Sequence, residues 1–148
     1  MLVSQILKSK GDLVFTVAPS ETLASAAALL HSRRVGALVV LEAEQVVGII
    51  SERDLVRAVA QTGAVAQTGA AALETQVSRH MTKNVLFAEP GETVDSLMGR
   101  MTDRRIRHLP VCKAERLVGL VSIGDLVKAK ISEVEAEADG LKAYIAAS

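Results

Sequence analysis

The sequence repeats itself, and that limits what the chain can fold into more than any other feature. Shifted by 71 positions, Pro19 falls on Pro90, and residues 19–57 align with 90–128 without a gap. Of the 39 pairs, 16 are identical. They include Glu21/Glu92, Thr22/Thr93, Ser25/Ser96, Arg33-Arg34 with Arg104-Arg105, Leu38/Leu109, Gly48/Gly119, Ser51/Ser122 and Asp54/Asp125. A unit of about 50 residues buries too little surface to be comfortably stable alone. Two copies are therefore expected to pack face to face as one body with pseudo-twofold symmetry.

Each copy reads the same way. A short strand is expected at Val14–Val17 and at Val85–Phe87, followed by a turn that contains proline. Leu23, Ala26, Ala27 and Leu30 then recur at helical spacing, as do Val94, Leu97, Met98 and Met101. Two apolar runs follow, Ala37–Leu41 and Val46–Ile50, split by Glu42–Gln45. The second copy has Leu109–Cys112 and Leu117–Val121, and both read as hairpins. A second helix is expected from Ser51 and from Ser122. The fold class is α+β, built from two β-α-β-β-α repeats.

Composition narrows the function. The 148 residues are 49% apolar and 23% charged, a globular balance. Lys plus Arg is 17 and Asp plus Glu is 17, which speaks against a general nucleic-acid binder that works by neutralising phosphates. Phe15, Phe87 and Tyr144 are too few for a base-stacking platform. The uncharged stretch 58–73 is too short and polar to span a bilayer. The N-terminus has no signal-peptide pattern, and the single Cys112 fits a reducing compartment. The expectation is a cytoplasmic protein without nucleic-acid or membrane partners.

The strongest chemical signal is paired. Gly48-Ile-Ile-Ser51-Glu-Arg-Asp54 matches Gly119-Leu-Val-Ser122-Ile-Gly-Asp125. In each, a Ser stands at a strand end with an Asp three residues on, at a helix start. One reading is a capping box, in which Ser caps the helix and the acid answers from N3. The other is a nucleotide site: a helix N-terminus favours phosphate, and a carboxylate suits the vicinal hydroxyls of a ribose. One Ser can serve both.

Ser51-Glu-Arg-Asp54, Arg107-His-Leu-Pro110 and Ser122-Ile-Gly-Asp125, set in this repeat, resemble the CBS domain, the cystathionine beta-synthase domain. Two in tandem resemble a Bateman module of the small stand-alone bacterial kind. The likeness runs from about Lys8 to Lys128. It implies repeats at 8–62 and 79–130, a linker at 63–78 and a helical extension at 131–148. It also implies clefts that hold AMP, ATP or NAD, sometimes S-adenosylmethionine, with the motif Asp on the ribose. Carried over, Ser51, Arg53 and Asp54 work with Thr82, Val85 and Leu86 near the base and with Arg107 and His108 at the phosphates. Ser122 and Asp125 work with Lys10, Val14, Phe15 and Ala37. The function implied is a nucleotide-binding sensor that is a homodimer and acts on a separate protein. The alternative is a ligand-independent dimeric interaction scaffold. An enzyme is not expected, for no nucleophile–base pair or Mg²⁺-binding carboxylate cluster is legible.

The repeats differ at what the resemblance makes the phosphate end. Arg53 aligns with Gly124, and Arg107 and His108 align with Gly36 and Ala37, which leaves Lys10 as the obvious cation near Asp125. Arg107 and His108 also read as a solvated strand entry. The Arg pairs 33–34 and 104–105 read as helix C-terminal charges that complement the dipole. His31 and His80 lack metal-spaced partners. Cys112 reads as a small buried hydrophobe, and Met81, Met98 and Met101 as core filler. The doubled VAQTGA at 59–70 reads as a tolerated duplication in a helix end or surface loop. Last, Ile131, Val134, Ala138, Leu141 and Ile145 form a 3-4-3-4 seam, either folded back on the chain or pairing with a second copy.

Overall fold

The computed structural model describes residues 1–66 and 69–148. The first repeat contains β1 (Thr16–Val17), α2 (Leu23–Arg33), β2 (Ala37–Glu42), β3 (Gln45–Ser51) and α3 (Glu52–Ala66). The second contains α4 (Val94–Arg104), β4 (His108–Lys113), β5 (Arg116–Ser122) and α5 (Ile123–Ala147). Ahead of the first lies α1 (Val3–Lys10), and ahead of the second lie 3₁₀ turns at Gly69–Glu74 and Val77–Arg79. Of the VAQTGA pair, the first copy and Val65–Ala66 belong to α3, whereas Gln67 and Thr68 lie outside the described residues.

The repeated identities have local causes. Thr22 and Thr93 cap α2 and α4, each accepting a hydrogen bond from the backbone N–H three residues on at 3.1 Å. Glu21 and Glu92 tie the preceding turn, accepting the Ala18 and Glu89 N–H groups at 2.6 and 2.7 Å. Arg34 and Arg105 close the two helices in the left-handed region, with φ of 55° and 53°. This is a backbone duty that the charge reading did not include. The hairpin turns are shorter than the sequence implied: Ala43-Glu44 and Ala114-Glu115 are the central pairs, all four at positive φ.

One expected strand is missing. β1 pairs in parallel with β2, and the Val39 N–H donates to the Phe15 carbonyl. The residue matching Val39 is Pro110, which has no N–H to donate. The Val85–Phe87 stretch therefore forms no strand, and only an isolated bridge between Ala88 and Val111 remains. The sheets are accordingly β1-β2-β3 and β4-β5.

The chain divides into two compact units, and each takes in the flank that precedes the other repeat. Val14–Val85 is one; residues 1–13 with 86–148 are the other. In the first, Ala72 and Val77 are buried with Leu23, Leu38 and Ile50, and the Val77 and Ser78 N–H groups donate to the Glu21 and Pro19 carbonyls. In the second, Val3 and Ile6 are buried with Leu97, Leu109 and Leu126, and the Val3 and Ser4 N–H groups donate to the Glu92 and Pro90 carbonyls. The flanks correspond at an offset of 74, not 71. Gly48 and Gly119 report the same exchange: a Cβ would stand 2.5 Å from the Met81 sulfur at one and 2.5 Å from the Leu7 Cδ2 at the other.

Leu126 and Ala129 bury the start of α5, whereas Ile131, Val134, Leu141, Tyr144 and Ile145 are exposed. Among the described residues of its own unit, nothing covers the seam. Met101 is buried, Met81 and Met98 are partly so, and all three pack on the cores.

Candidate functional site

Each Ser-x-x-Asp motif sits where a strand turns into a helix, and both are capping boxes. At Ser122 the box is complete: the Asp125 N–H donates to Ser122 Oγ at 3.1 Å, and the Ser122 N–H donates to Asp125 Oδ2 at 2.8 Å. At Ser51 the N–H and hydroxyl both donate to Asp54 Oδ2, at 2.9 and 3.0 Å. The Asp54 N–H reaches Ser51 Oγ at 3.4 Å. Asp54 is the buried charged residue of the described chain, 6% exposed.

The two carboxylates meet different cations. Asp54 Oδ1 accepts from Arg57 Nη1 at 3.2 Å, one turn along the same helix, and the Arg57 side chain is mostly exposed. Asp125 Oδ2 accepts from Lys10 Nζ at 2.6 Å, 115 residues away in sequence. The same ammonium donates to the Leu120 carbonyl at 2.9 Å. Burial pushes the Asp125 carboxyl up, but the hydrogen bonds from Lys10 and Ser122 and the charge of Lys10 outweigh it and hold it below the usual carboxylate range. Lys10 was legible as a nearby cation; its seat on the carboxylate itself was not.

The sequence-derived groups draw on both units. With Asp54, Ser51 and Arg53 in Val14–Val85 go Thr82 and Val85, whereas Leu86, Arg107 and His108 belong to the other unit. Thr82 exchanges two backbone hydrogen bonds with Ile49, at 2.9 and 3.1 Å, and Arg53 is exposed. With Ser122 and Asp125 goes Lys10, whereas Val14, Phe15 and Ala37 belong to the other unit. The hairpin register sets His108 opposite Ser122 and Ala37 opposite Ser51. Arg107 is exposed, and its carbonyl accepts the Ile123 N–H at 2.8 Å.

Other polar candidates have structural partners. The Arg33 guanidinium lies 5.0 Å from the centre of the Phe15 ring, a cation–π contact that helix-end reasoning did not anticipate. His80 Nε2 lies 2.9 Å from Thr75 Oγ1. Cys112 is partly buried, which raises its thiol pKa. An open cavity of about 420 Å³ lies beside α1, lined by Ser4, Leu7, Lys8, Gly11, Asp12, Pro90 and Val118. It flanks the helix that carries Lys10 and is not centred on the Asp125 carboxylate. Among the described residues, no helix is long and apolar enough to cross a membrane.

Known proteins share this sequence and architecture. A CBS-domain-containing protein of Agrobacterium tumefaciens is 46% identical; its crystal structure matches with a TM-score of 0.81 over 87% of this chain and 92% of that one. YhcV of Bacillus subtilis, a CBS-domain-containing protein, is 30% identical over 90% of this chain and 91% of its own length. The CBS domain pair of protein MJ0100, solved in complex with 5′-methylthioadenosine and S-adenosyl-L-methionine, is 25% identical, with a TM-score of 0.77 over 90% of this chain and 98% of that one. The family model for the CBS domain matches residues 11–61 and 76–132, one match on each repeat. The chain belongs to the CBS-domain family and carries two CBS repeats in tandem.

Proposed function

We propose that this chain is a sensor module that binds an adenosine nucleotide and acts on a separate partner protein. The observation that carries the reading is the pair of carboxylates at helix starts, Asp54 held by the Ser51 N–H and hydroxyl and Asp125 by the Ser122 N–H. A carboxylate fixed in this way is preorganised to accept from two vicinal hydroxyls. The adenosine ligands bound by the MJ0100 domain pair support the ligand class. Here the ligand is AMP, ATP or NAD, the protein works in the cytoplasm, and it is no enzyme: binding changes shape or surface, and a partner reads the change. In this reading the two clefts are composed as the resemblance implies. Thr82, Val85 and Leu86 serve the base and Arg53, Arg107 and His108 the phosphates of the ligand on Asp54, and Lys10, Val14, Phe15 and Ala37 line the cleft of Asp125.

Thermal unfolding with AMP, ATP, NAD and S-adenosylmethionine tests the reading. A ligand at a hundred times its Kd stabilises the folded form by about 2.7 kcal/mol. At roughly 2–4 °C per kcal/mol for a chain of this size, Tm rises by about 5–11 °C. No shift with any of the four overturns it.

The second reading, a ligand-independent dimeric scaffold, is favoured by one observation, the exposed seam Ile131, Val134, Leu141 and Ile145. Dimerisation is compatible with nucleotide binding; the scaffold reading is distinguished by a dimer that no nucleotide stabilises. Light scattering on the wild type and on Val134→Glu tests the seam. A monomer in the wild type at micromolar concentration removes dimerisation from both readings.

A further inference from the structure

We propose that Lys10 closes the Asp125 half-site, so that the wild-type chain takes one adenosine ligand, on Asp54. The inference rests on the nucleotide reading above and adds the occupancy of its two carboxylates.

The argument starts from the exchanged flanks. At the offset of 74, Leu7 corresponds to Met81 and Lys8 to Thr82. On the Asp54 side the Thr82 N–H donates to the Ile49 carbonyl, so an extended backbone satisfies that strand. On the Asp125 side the flank is helical through Lys10, and Lys8, which matches Thr82, lies inside α1. The carbonyl matching Ile49 is that of Leu120, and the Lys10 ammonium takes it at 2.9 Å. The same ammonium then meets Asp125 Oδ2 at 2.6 Å. One side chain thus fills two roles that are separate in the first unit, pairing the strand and neutralising the carboxylate.

The placement is anchored. Val3 and Ile6 are buried, the Val3 and Ser4 N–H groups bond to Glu92 and Pro90, and Gly11 ends the helix at a φ of 97° that a glycine tolerates. Lys10 is therefore delivered to Asp125 by a fixed helix end. Arg57 on Asp54 is different: its side chain is 56% exposed against 38% for Lys10, it holds only Oδ1, and it leaves without disturbing a strand. A ribose diol brings its own donors to the carboxylate, so at Asp125 it competes with an ammonium already seated. Apparent affinity is the intrinsic affinity multiplied by the fraction of chains in which Lys10 is displaced.

Calorimetric titration of AMP into five proteins tests this: wild type, Asp54→Asn, Lys10→Met, the double variant Lys10→Met with Asp54→Asn, and that double variant with Asp125→Asn added. The expected result is one site in wild type, its affinity weakened tenfold or more by Asp54→Asn. Lys10→Met should show two sites. The double variant should show one, which adding Asp125→Asn weakens tenfold or more. Lys10→Gln repeats the arm should the Met variant fold poorly. Two sites in the wild type overturn the closure and leave the nucleotide reading standing. So does a Lys10→Met protein with no second site or weaker binding, for then Lys10 serves the ligand. No binding by any of the proteins overturns the nucleotide reading and the closure with it.

Discussion

Replacing Asp54 by Asn and by Ala separates the two duties of this carboxylate. Its Oδ2 accepts the Ser51 N–H at 2.9 Å and the Ser51 hydroxyl at 3.0 Å, and the residue is almost fully buried. Ala leaves the part-buried Ser51 N–H without an acceptor, which costs about 1–3 kcal/mol. At roughly 2–4 °C per kcal/mol, Tm falls by about 2–12 °C. Asn keeps an amide oxygen where Oδ2 stands and loses the Arg57 pair, which is worth little because Arg57 is mostly exposed. Its stability cost is about 1 kcal/mol or less. Binding divides differently. A ribose held by the charged form loses charge-assisted hydrogen bonds of roughly 1.5–3 kcal/mol in both variants, a weakening of about tenfold to a hundredfold. Thermal unfolding beside AMP titration reads both quantities. An Asp54→Asn protein that binds AMP within threefold of wild type refutes the ribose role. An Asp54→Ala protein with an unchanged Tm refutes the capping role.

Three further outcomes are expected. The hairpin turns hold Ala43, Glu44, Ala114 and Glu115 at positive φ, where L side chains are strained. Asn-Gly at either turn should raise stability by about 1 kcal/mol, read as a Tm increase of roughly 2–4 °C, and a Tm decrease would contradict the turn geometry. Gly48→Ala places its Cβ 2.5 Å from the Met81 sulfur and 3.0 Å from the Thr82 carbonyl oxygen, whereas Gly119→Ala meets only the Leu7 side chain. Overpacking of about 1–3 kcal/mol should therefore appear at Gly48, with a smaller loss at Gly119 that Leu7→Ala partly restores in urea unfolding. The lowered pKa of Asp125 gives stability that is present above the unfolded value of about 3.9 and is lost as pH falls through the lower folded value. Lys10→Met should flatten that acid limb of the Tm-against-pH curve, and an unchanged limb would show that Lys10 does not hold the carboxylate.

Local signals were legible and partner choice was not. The apolar stripes Leu23, Ala26, Ala27, Leu30 and Val94, Leu97, Met98, Met101 announced α2 and α4, and the paired apolar runs announced both hairpins. The missing strand at Val85–Phe87 turned on Pro110, which was visible in the sequence; what was hidden is that its N–H would have been the ladder donor. The exchange of flanks was hidden more deeply. Buried Val3 and Ile6, or Ala72 and Val77, carry no mark of which repeat they join, and the offset of 74 departs from the 71 that aligns the repeats. Two contacts that matter at the candidate site or beside it, Lys10 with Asp125 and Arg33 with Phe15, are tertiary. No period or spacing encodes them.

The repeat identities each have a structural duty beside any ligand. Glu21/Glu92 and Thr22/Thr93 are accounted for by turns and caps, Arg34/Arg105 by helix closure, Gly48/Gly119 by the flank that presses on the strand, and Ser51/Ser122 with Asp54/Asp125 by capping boxes. A chain selected only to fold would keep all of these. Any difference between the two carboxylates therefore resides where folding leaves the copies free to diverge. Arg53 stands against Gly124, and Arg107-His108 against Gly36-Ala37. At the carboxylates themselves, Asp54 meets an exposed Arg57 of its own helix and Asp125 meets an ammonium carried on α1. Symmetric folding requirements do not produce that division, whereas unequal demands on the two carboxylates do.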